Sequence, residues 1–361
     1  MAEVGAVSEI DEIMRVATKR KASDIHIQAG LPPVLRIQTT LVPLDSEKLS
    51  AEGTEHLVFS IMSEEQRKLY HERLQYDFSY DLPGVARFRV NVFRQRDSVA
   101  AAFRRFPHEV PTPEALGLPV PVIELSELQR GFVLFTGAAG TGKSTSLAAL
   151  IDRINSERRV HIITLEDPIE YVFQHRLSVV VQRELGNDMT DFATALRSAL
   201  REDPDVILVG EMRDYQTVEA ALTAAETGHL VFATLHTGTA AQSMDRIVDV
   251  FPAHQQQQTR IQLANVLQAV VTQQLLLRRD GGGLCLAAEF LRANAAVRNL
   301  IREAKSHQIQ SVLQTGVAAG MITMESSLKA LVDRGLIGEE DALEHAFDQR
   351  EMARLLGRRK H

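Results

Sequence analysis

The run Gly137-Ala138-Ala139-Gly140-Thr141-Gly142-Lys143-Ser144 fits the pattern G-x-x-x-x-G-K-[ST], and no other feature of the chain constrains its fold as strongly. Glycines at 137, 140 and 142 admit backbone conformations closed to residues with a Cβ. Such a loop turns its amides inward, onto phosphate oxygens. Lys143 adds a cation for the β- and γ-phosphates, the Ser144 hydroxyl is placed to hold Mg²⁺, and Thr145 extends the cradle. The motif demands a strand before it and a helix after it. Gly131-Phe132-Val133-Leu134-Phe135-Thr136 reads as the strand. Leu147, Leu150, Ile151 and Ile154 recur at i, i+3, i+4 and i+7, as one apolar helix face does. The ligand expected is ATP with Mg²⁺.

From Gln129 the chain alternates between the two periods. Strands are expected at 131–136, 160–165, 206–210 and 230–235, with helices near 191–201 and 216–226 between them. That alternation predicts a mainly parallel sheet covered by helices, an α/β domain over 129–361. Beyond residue 255 the pattern is mostly helical, apart from a strand at 284–290 after Gly281-Gly282-Gly283. Residues 1–106 read as a separate α+β unit. Ile10, Ile13, Met14 and Ala17 form a helical stripe, Leu57 to Leu69 is expected as one helix, and Ala86 to Val92 alternates as a half-exposed strand does. Four prolines between Pro107 and Pro121 mark 107–128 as an interdomain linker.

Three further constellations carry chemistry. Ile162-Ile163-Thr164-Leu165-Glu166-Asp167-Pro168-Ile169-Glu170 places carboxylates just past a strand end, the edge at which open α/β sheets bind ligands. Glu166 or Glu170 there can orient or deprotonate an attacking water. Val206-Ile207-Leu208-Val209-Gly210-Glu211 has the form of a Walker B strand, although Gly210 stands where an Asp is usual. Metal coordination then falls to Glu211 with Ser144. His229 and His236 bracket the apolar strand 230–235. Seven positions apart, they face opposite ways and cannot chelate one metal from that strand, whereas an imidazole at its end can contact the γ-phosphate. Arg87, Arg89, Arg94, Arg96, Arg104 and Arg105 are candidates for guanidinium groups acting in trans on a neighbouring subunit's ATP. Arg298 and Arg302, four apart on a helix, call either for an acidic partner surface or for solvent screening.

Bulk properties exclude several classes. A formal charge of −7 argues against a dedicated nucleic-acid binder. No run of 18 apolar residues occurs, so no transmembrane segment is expected. Glu3, Glu9, Asp11 and Glu12 stand where a signal peptide is basic and then apolar. Cys285 is the only cysteine, which excludes internal disulfides and a Cys₄ zinc site and suits the cytosol.

In this order and spacing the four motifs resemble the secretion-type ATPases that power type IV pili and type II secretion. The similarity runs from Lys21-Ala22-Ser23-Asp24-Ile25-His26 through Pro83-Gly84-Val85-Ala86-Arg87-Phe88-Arg89-Val90-Asn91 to the C-terminal helices. Ala296-Val297-Arg298-Asn299-Leu300-Ile301-Arg302-Glu303 is similar to the AIRNLIRE helix of the branch that retracts pili, with Val297 in place of Ile. Ala138-Ala139 replaces that family's usual Pro-Thr. The resemblance implies a PAS-like N-terminal domain and a RecA-like ATPase domain, with ATP held between them. It implies a homohexamer at the cytoplasmic face of the inner membrane, docked to a platform protein there. It implies Lys143 on phosphate, Glu170 or Glu166 as base, Glu211 at the metal, and His229 with His236 in a His box. Arg87, Arg89 and Arg104 would enter from the next subunit. The assembly branch usually carries a four-cysteine metal site, which one cysteine cannot build. A small-molecule kinase and a DNA-handling secretion ATPase are the other readings.

Overall fold

The computed structural model describes residues 9–37, 40–106 and 109–358. These divide into two compact units. The first holds the described residues up to Glu109 together with Pro168–Val172, and the second holds Val110–Asp167 and the described residues from Phe173 on. Pro107, at the head of the expected linker, lies outside the described residues.

The first unit runs α1 (Glu9–Lys19), β1 (Asp24–Gln28), β2 (Val34–Ile37), β3 (Thr40–Pro43), α2 (Ala51–Phe59), α3 (Glu64–Arg73), β4 (Gln75–Leu82), β5 (Ala86–Gln95) and β6 (Ser98–Arg105). Its strands form one antiparallel sheet in the order β3-β2-β1-β6-β5-β4. The stripe read from the sequence is the face that α1 buries: Ile10, Met14 and Ala17 are inaccessible, and Ile13 packs against the same core as Phe88, Val90, Val92 and Phe103. The single helix expected over Leu57–Leu69 is two helices. Ser63 starts a new one through a capping box: its Oγ accepts from Gln66 N at 3.2 Å and its own N–H donates to Gln66 Oε1 at 2.9 Å. That reciprocal cap satisfies two otherwise orphaned donors and stops α2 from running on.

The second unit begins with the short α4 (Val120–Ile123) and a 3₁₀ turn at Glu124–Glu127, so this part of the stretch read as linker is folded back into helical turns. Then follow β7 (Gly131–Thr136), α5 (Lys143–Glu157), β8 (His161–Glu166), β9 (Val179–Glu184), α6 (Phe192–Ala199), β10 (Val206–Val209), α7 (Tyr215–Glu226), β11 (Leu230–Leu235), α8 (Ala240–Asp249), α9 (Ala253–Val266), β12 (Leu267–Leu277), β13 (Leu284–Arg292), α10 (Ala295–Arg302), α11 (Ile309–Thr315), α12 (Met324–Asp333), α13 (Glu339–His345) and α14 (Gln349–Leu355). The sheet order is β13-β12-β7-β11-β10-β8-β9, parallel except where β13 pairs antiparallel with β12. Every residue of β7, β10 and β11 is buried, which is why these strands read as unbroken apolar runs.

In the second unit two strands escape the sequence reading. β12 reads as helical in the sequence, since Leu267 continues directly from Val266, the last residue of α9. The structure pairs it with β7 and β13 instead. β9 is an edge strand, half-buried and polar at Gln182 and Arg183.

Candidate functional site

Strand order places the chemistry. β11 lies between the strand that feeds the phosphate-type loop, β7, and the strand that carries Glu211, β10. The C-terminal ends of these parallel strands therefore deliver Gly137, His236 and Glu211 to one edge of the second unit. The loop from Gly137 to Gly142 connects β7 to α5. Gly137 has φ +137°, and a Cβ there would stand 2.5 Å from Gln273 O on β12. Gly142 caps α5 at φ +85° without any side-chain hydrogen bond, so the first-turn amides of a fifteen-residue helix point outward unclaimed by a cap. Such an end attracts anions. Thr141 Oγ1 closes the loop by donating to Ala138 O at 2.9 Å. Ala138, Ala139, Gly140 and Ser144 are exposed, while Thr141, Gly142 and Thr145 are half-buried.

Lys143 is buried, and its Nζ donates to Gly137 O at 2.7 Å and to Ala138 O at 2.8 Å. The same Nζ lies 3.5 Å from His236 Nδ1. Lysine only donates, so Nδ1 is the acceptor and the imidazole proton sits on Nε2. That Nε2 is 3.4 Å from Glu211 Oε1, and Glu211 Oε2 takes the Arg213 guanidinium at 2.7 Å. Arg213 first, against a smaller opposing effect of burial, and then His236 hold the Glu211 carboxyl below its usual range. An ionised carboxylate and an exposed hydroxyl at Ser144 are hard oxygen donors. They fit Mg²⁺, which takes one or two protein oxygens and completes its shell with water and phosphate.

Gly210 explains itself here. Its N–H donates to Leu165 O at 2.7 Å, and a Cβ would meet Leu165 O at 3.0 Å and Glu166 Cα at 3.2 Å. The usual aspartate fits at that strand end only if the facing backbone gives way slightly. Thr234 supports the same turn through its hydroxyl on Gly210 O.

The other expected site residues are placed as follows. Glu166 is tethered at the end of β8, where Oε1 accepts from Thr164 Oγ1 at 2.6 Å and from Gln182 Nε2 at 3.1 Å. Glu170 lies in the short Pro168–Val172 segment that belongs to the first unit, where Arg87 Nε donates to Ile169 O at 3.0 Å. Arg89 pairs with Asp77 at 3.5 Å, and Arg104 with Asp24 at 3.0 Å, both on the first unit's sheet.

His229 stands apart from the other site residues within the chain. It precedes β11, and Nδ1 lies 2.9 Å from Ala224 O and 3.1 Å from Thr227 Oγ1 at the end of α7. Six strand residues at about 3.3 Å each put it roughly 20 Å from His236 within the chain. It does not join Lys143 and Glu211. Arg298 also departs from both readings given for it. Its Nη1 donates to Ala264 O at 2.6 Å and Asn265 O at 2.7 Å, and its Nε to Ala293 O at 3.0 Å. Arg302 Nη2 reaches Asn265 Oδ1 at 3.2 Å. Arg298 thus caps the last carbonyls of α9, where a cation also complements the helix dipole.

Sequence reasoning missed Arg213 and the polar residues of β12. Thr272 and Gln273 are buried, and Gln273 Nε2 donates to Ser146 Oγ on α5 at 2.8 Å. The signal was a Thr-Gln-Gln triplet inside an apolar run.

The chain is similar to known proteins over nearly its whole length. The family described as "Type II/IV secretion system protein" matches residues 4–349. The chain is 48% identical to the type IV pilus retractation ATPase PilT of Pseudomonas aeruginosa, covering 94% of this chain and 98% of that one. It is 51% identical to a twitching motility protein of Neisseria gonorrhoeae, covering 94% and 91%. Among solved structures, the pilus retraction motor PilT with bound ADP superposes with a TM-score of 0.90 at 51% identity, over 97% of this chain and all of that one.

Proposed function

This chain belongs to the type II/IV secretion system protein family, and on that footing we propose that it is an ATPase motor that retracts type IV pili. The observation that carries the proposal is the alignment of Lys143, His236 and Glu211 at one sheet edge beside the glycine loop. The backbone amides of 137–144 and Lys143 hold the phosphates, with Thr145 flanking them. Ser144 and Glu211 would hold Mg²⁺, which would supply charge neutralisation to the phosphates. His236 bridges Lys143 and Glu211, so it reports phosphate occupancy to the carboxylate. Glu170 or Glu166 orients the water and takes its proton.

The motor works as a homohexamer. Arg87, Arg89 and Arg104 of a neighbouring subunit stabilise charge on the transferring phosphoryl group, which requires them to exchange partners such as Asp77 and Asp24 for phosphate. The ring sits at the cytoplasmic face of the inner membrane on a pilus platform protein. No helix among the described residues is long and apolar enough to cross a membrane, so attachment runs through that partner.

The test is deletion of the gene in its source organism, scoring surface pili and surface motility. Surplus pili with lost motility support retraction. Bald cells overturn it in favour of pilus assembly.

A further inference from the structure

A second polar cluster lies behind the phosphate loop, sealed from solvent. Thr136, the last residue of β7, donates its hydroxyl to Thr272 Oγ1 at 2.9 Å. Thr272 therefore keeps its own proton for another acceptor. Directly across the β12–β13 ladder stands Glu289. Glu289 is fully buried, and its Oε1 accepts from Ala240 N at 3.2 Å. Ala240 opens α8, four residues after His236. From the other side comes Glu325 on α12, also fully buried, whose Oε1 accepts from Asp348 N at the start of α14 at 2.8 Å. Ala288 N donates to Ser327 Oγ at 2.9 Å, seating α12 on β13. Neither Glu289 Oε2 nor Glu325 Oε2 makes a hydrogen bond among the described residues.

Two carboxyl groups with an unpaired oxygen each are a costly thing to bury, because water's hydrogen bonds are lost without replacement. A shared position at the meeting point of three elements gives such a pair a use. We propose that Glu289 and Glu325 form the joint through which the phosphate loop and the C-terminal helices position one another, with Glu289 as a positioning residue for the nucleotide site. The inference rests on the reading of residues 137–144 as that site.

Glu289 faces two kinds of neighbour. The Ala240 amide, the Thr272 hydroxyl and the Met324 amide favour its charged form, and the Glu325 carboxylate opposes it. Burial dominates and lifts its pKa to about 7. With a proton, Glu289 no longer repels Glu325, and β13 and α12 stay together. Without it, the carboxylate grips Ala240 and Thr272 and repels Glu325. The proton thus decides whether the loop side or the helix side holds Glu289 more tightly. The C-terminal helices share one small core, Met324, Leu328, Leu331, Ile337, Ala342 and Met352, with Leu276 of β12 and Ala287 of β13, so their seat on these two strands is what a change at the joint strains or relaxes.

The test compares the full chain with Glu289→Gln, which fixes the neutral shape, and with Glu325→Gln, which removes the opposing charge. Affinity for a fluorescent ADP analogue and amide-exchange protection of α12 are measured at pH about 6 and about 8.5, either side of the Glu289 transition. The wild type is expected to change affinity by about threefold or more between the two and to lose protection in α12 at the higher pH, while Glu289→Gln stays flat and Glu325→Gln changes less than the wild type. A purely structural role moves melting temperature but not the pH dependence of binding. Wild-type affinity that is independent of pH overturns the proposal, and so does a Glu289→Gln variant that follows the wild type. Absence of ADP binding at either pH removes the nucleotide reading itself, and this inference with it.

Discussion

Lys143 Nζ and His236 Nδ1 face each other at 3.5 Å, so the end of β11 touches the phosphate-type loop directly. The far side of the same imidazole turns to Glu211. One exposed ring joins the Lys143 cation to the Glu211 carboxylate.

Replacing that ring separates the two histidines. His236→Ala is expected to lower ATP turnover by about ten- to a hundredfold while stability stays within about 0.5 kcal/mol of wild type. His229→Ala is expected to do the reverse, costing about 1 kcal/mol through its lost contacts at the end of α7 and leaving turnover of each site intact. Paired ATPase assays and denaturant melts check both. Equal loss of turnover in the two variants would place His229 in the site after all.

Gly210→Asp restores the residue usual at a Walker B strand end. Here it is expected to destabilise by about 1–3 kcal/mol, because the new side chain collides with the backbone at Leu165 and Glu166. Urea denaturation measures this. A variant as stable as wild type would mean that this strand end gives way easily.

Arg298→Ala removes three hydrogen bonds to carbonyls around the end of α9. A loss of about 2–3 kcal/mol is expected, since charged donors contribute more than neutral ones. Unchanged stability with lost motility would instead make Arg298 a partner contact.

Glu289 gives stability a definite pH dependence. Its folded pKa is raised from 4.5 to about 7. Its contribution is therefore fully present below about 4.5 and is lost as pH rises towards about 7, a change of roughly 3 kcal/mol. Other carboxylates act in the opposite direction, so the quantity to measure is wild type minus Glu289→Gln across that window. The difference should fall with rising pH, and a constant difference would contradict the burial argument.

Much of this was legible in the sequence because burial writes itself in apolar runs. β7, β10 and β11 are covered on both faces, and each reads as a strand without further information. The glycine loop and Glu211 follow from those strands. β12 was hidden because its register against β7 is set by partners far away in sequence, and because Thr272 and Gln273 interrupt its apolar pattern for the sake of Thr136 and Ser146. Leu57–Leu69 has helical spacing throughout, and only the Ser63–Gln66 cap announces the break. Arg298 and Arg302 look like a surface pair in one dimension, since the α9 carbonyls that Arg298 caps and the Asn265 side chain that Arg302 holds lie more than thirty residues upstream.

The central claim is that ATP bound against residues 137–144 is hydrolysed there. Steady-state phosphate release by the purified chain, set beside Lys143→Ala, tests it most directly. The account predicts measurable turnover in the wild type and a loss of about a hundredfold or more in the variant. Near-wild-type turnover in Lys143→Ala would contradict it.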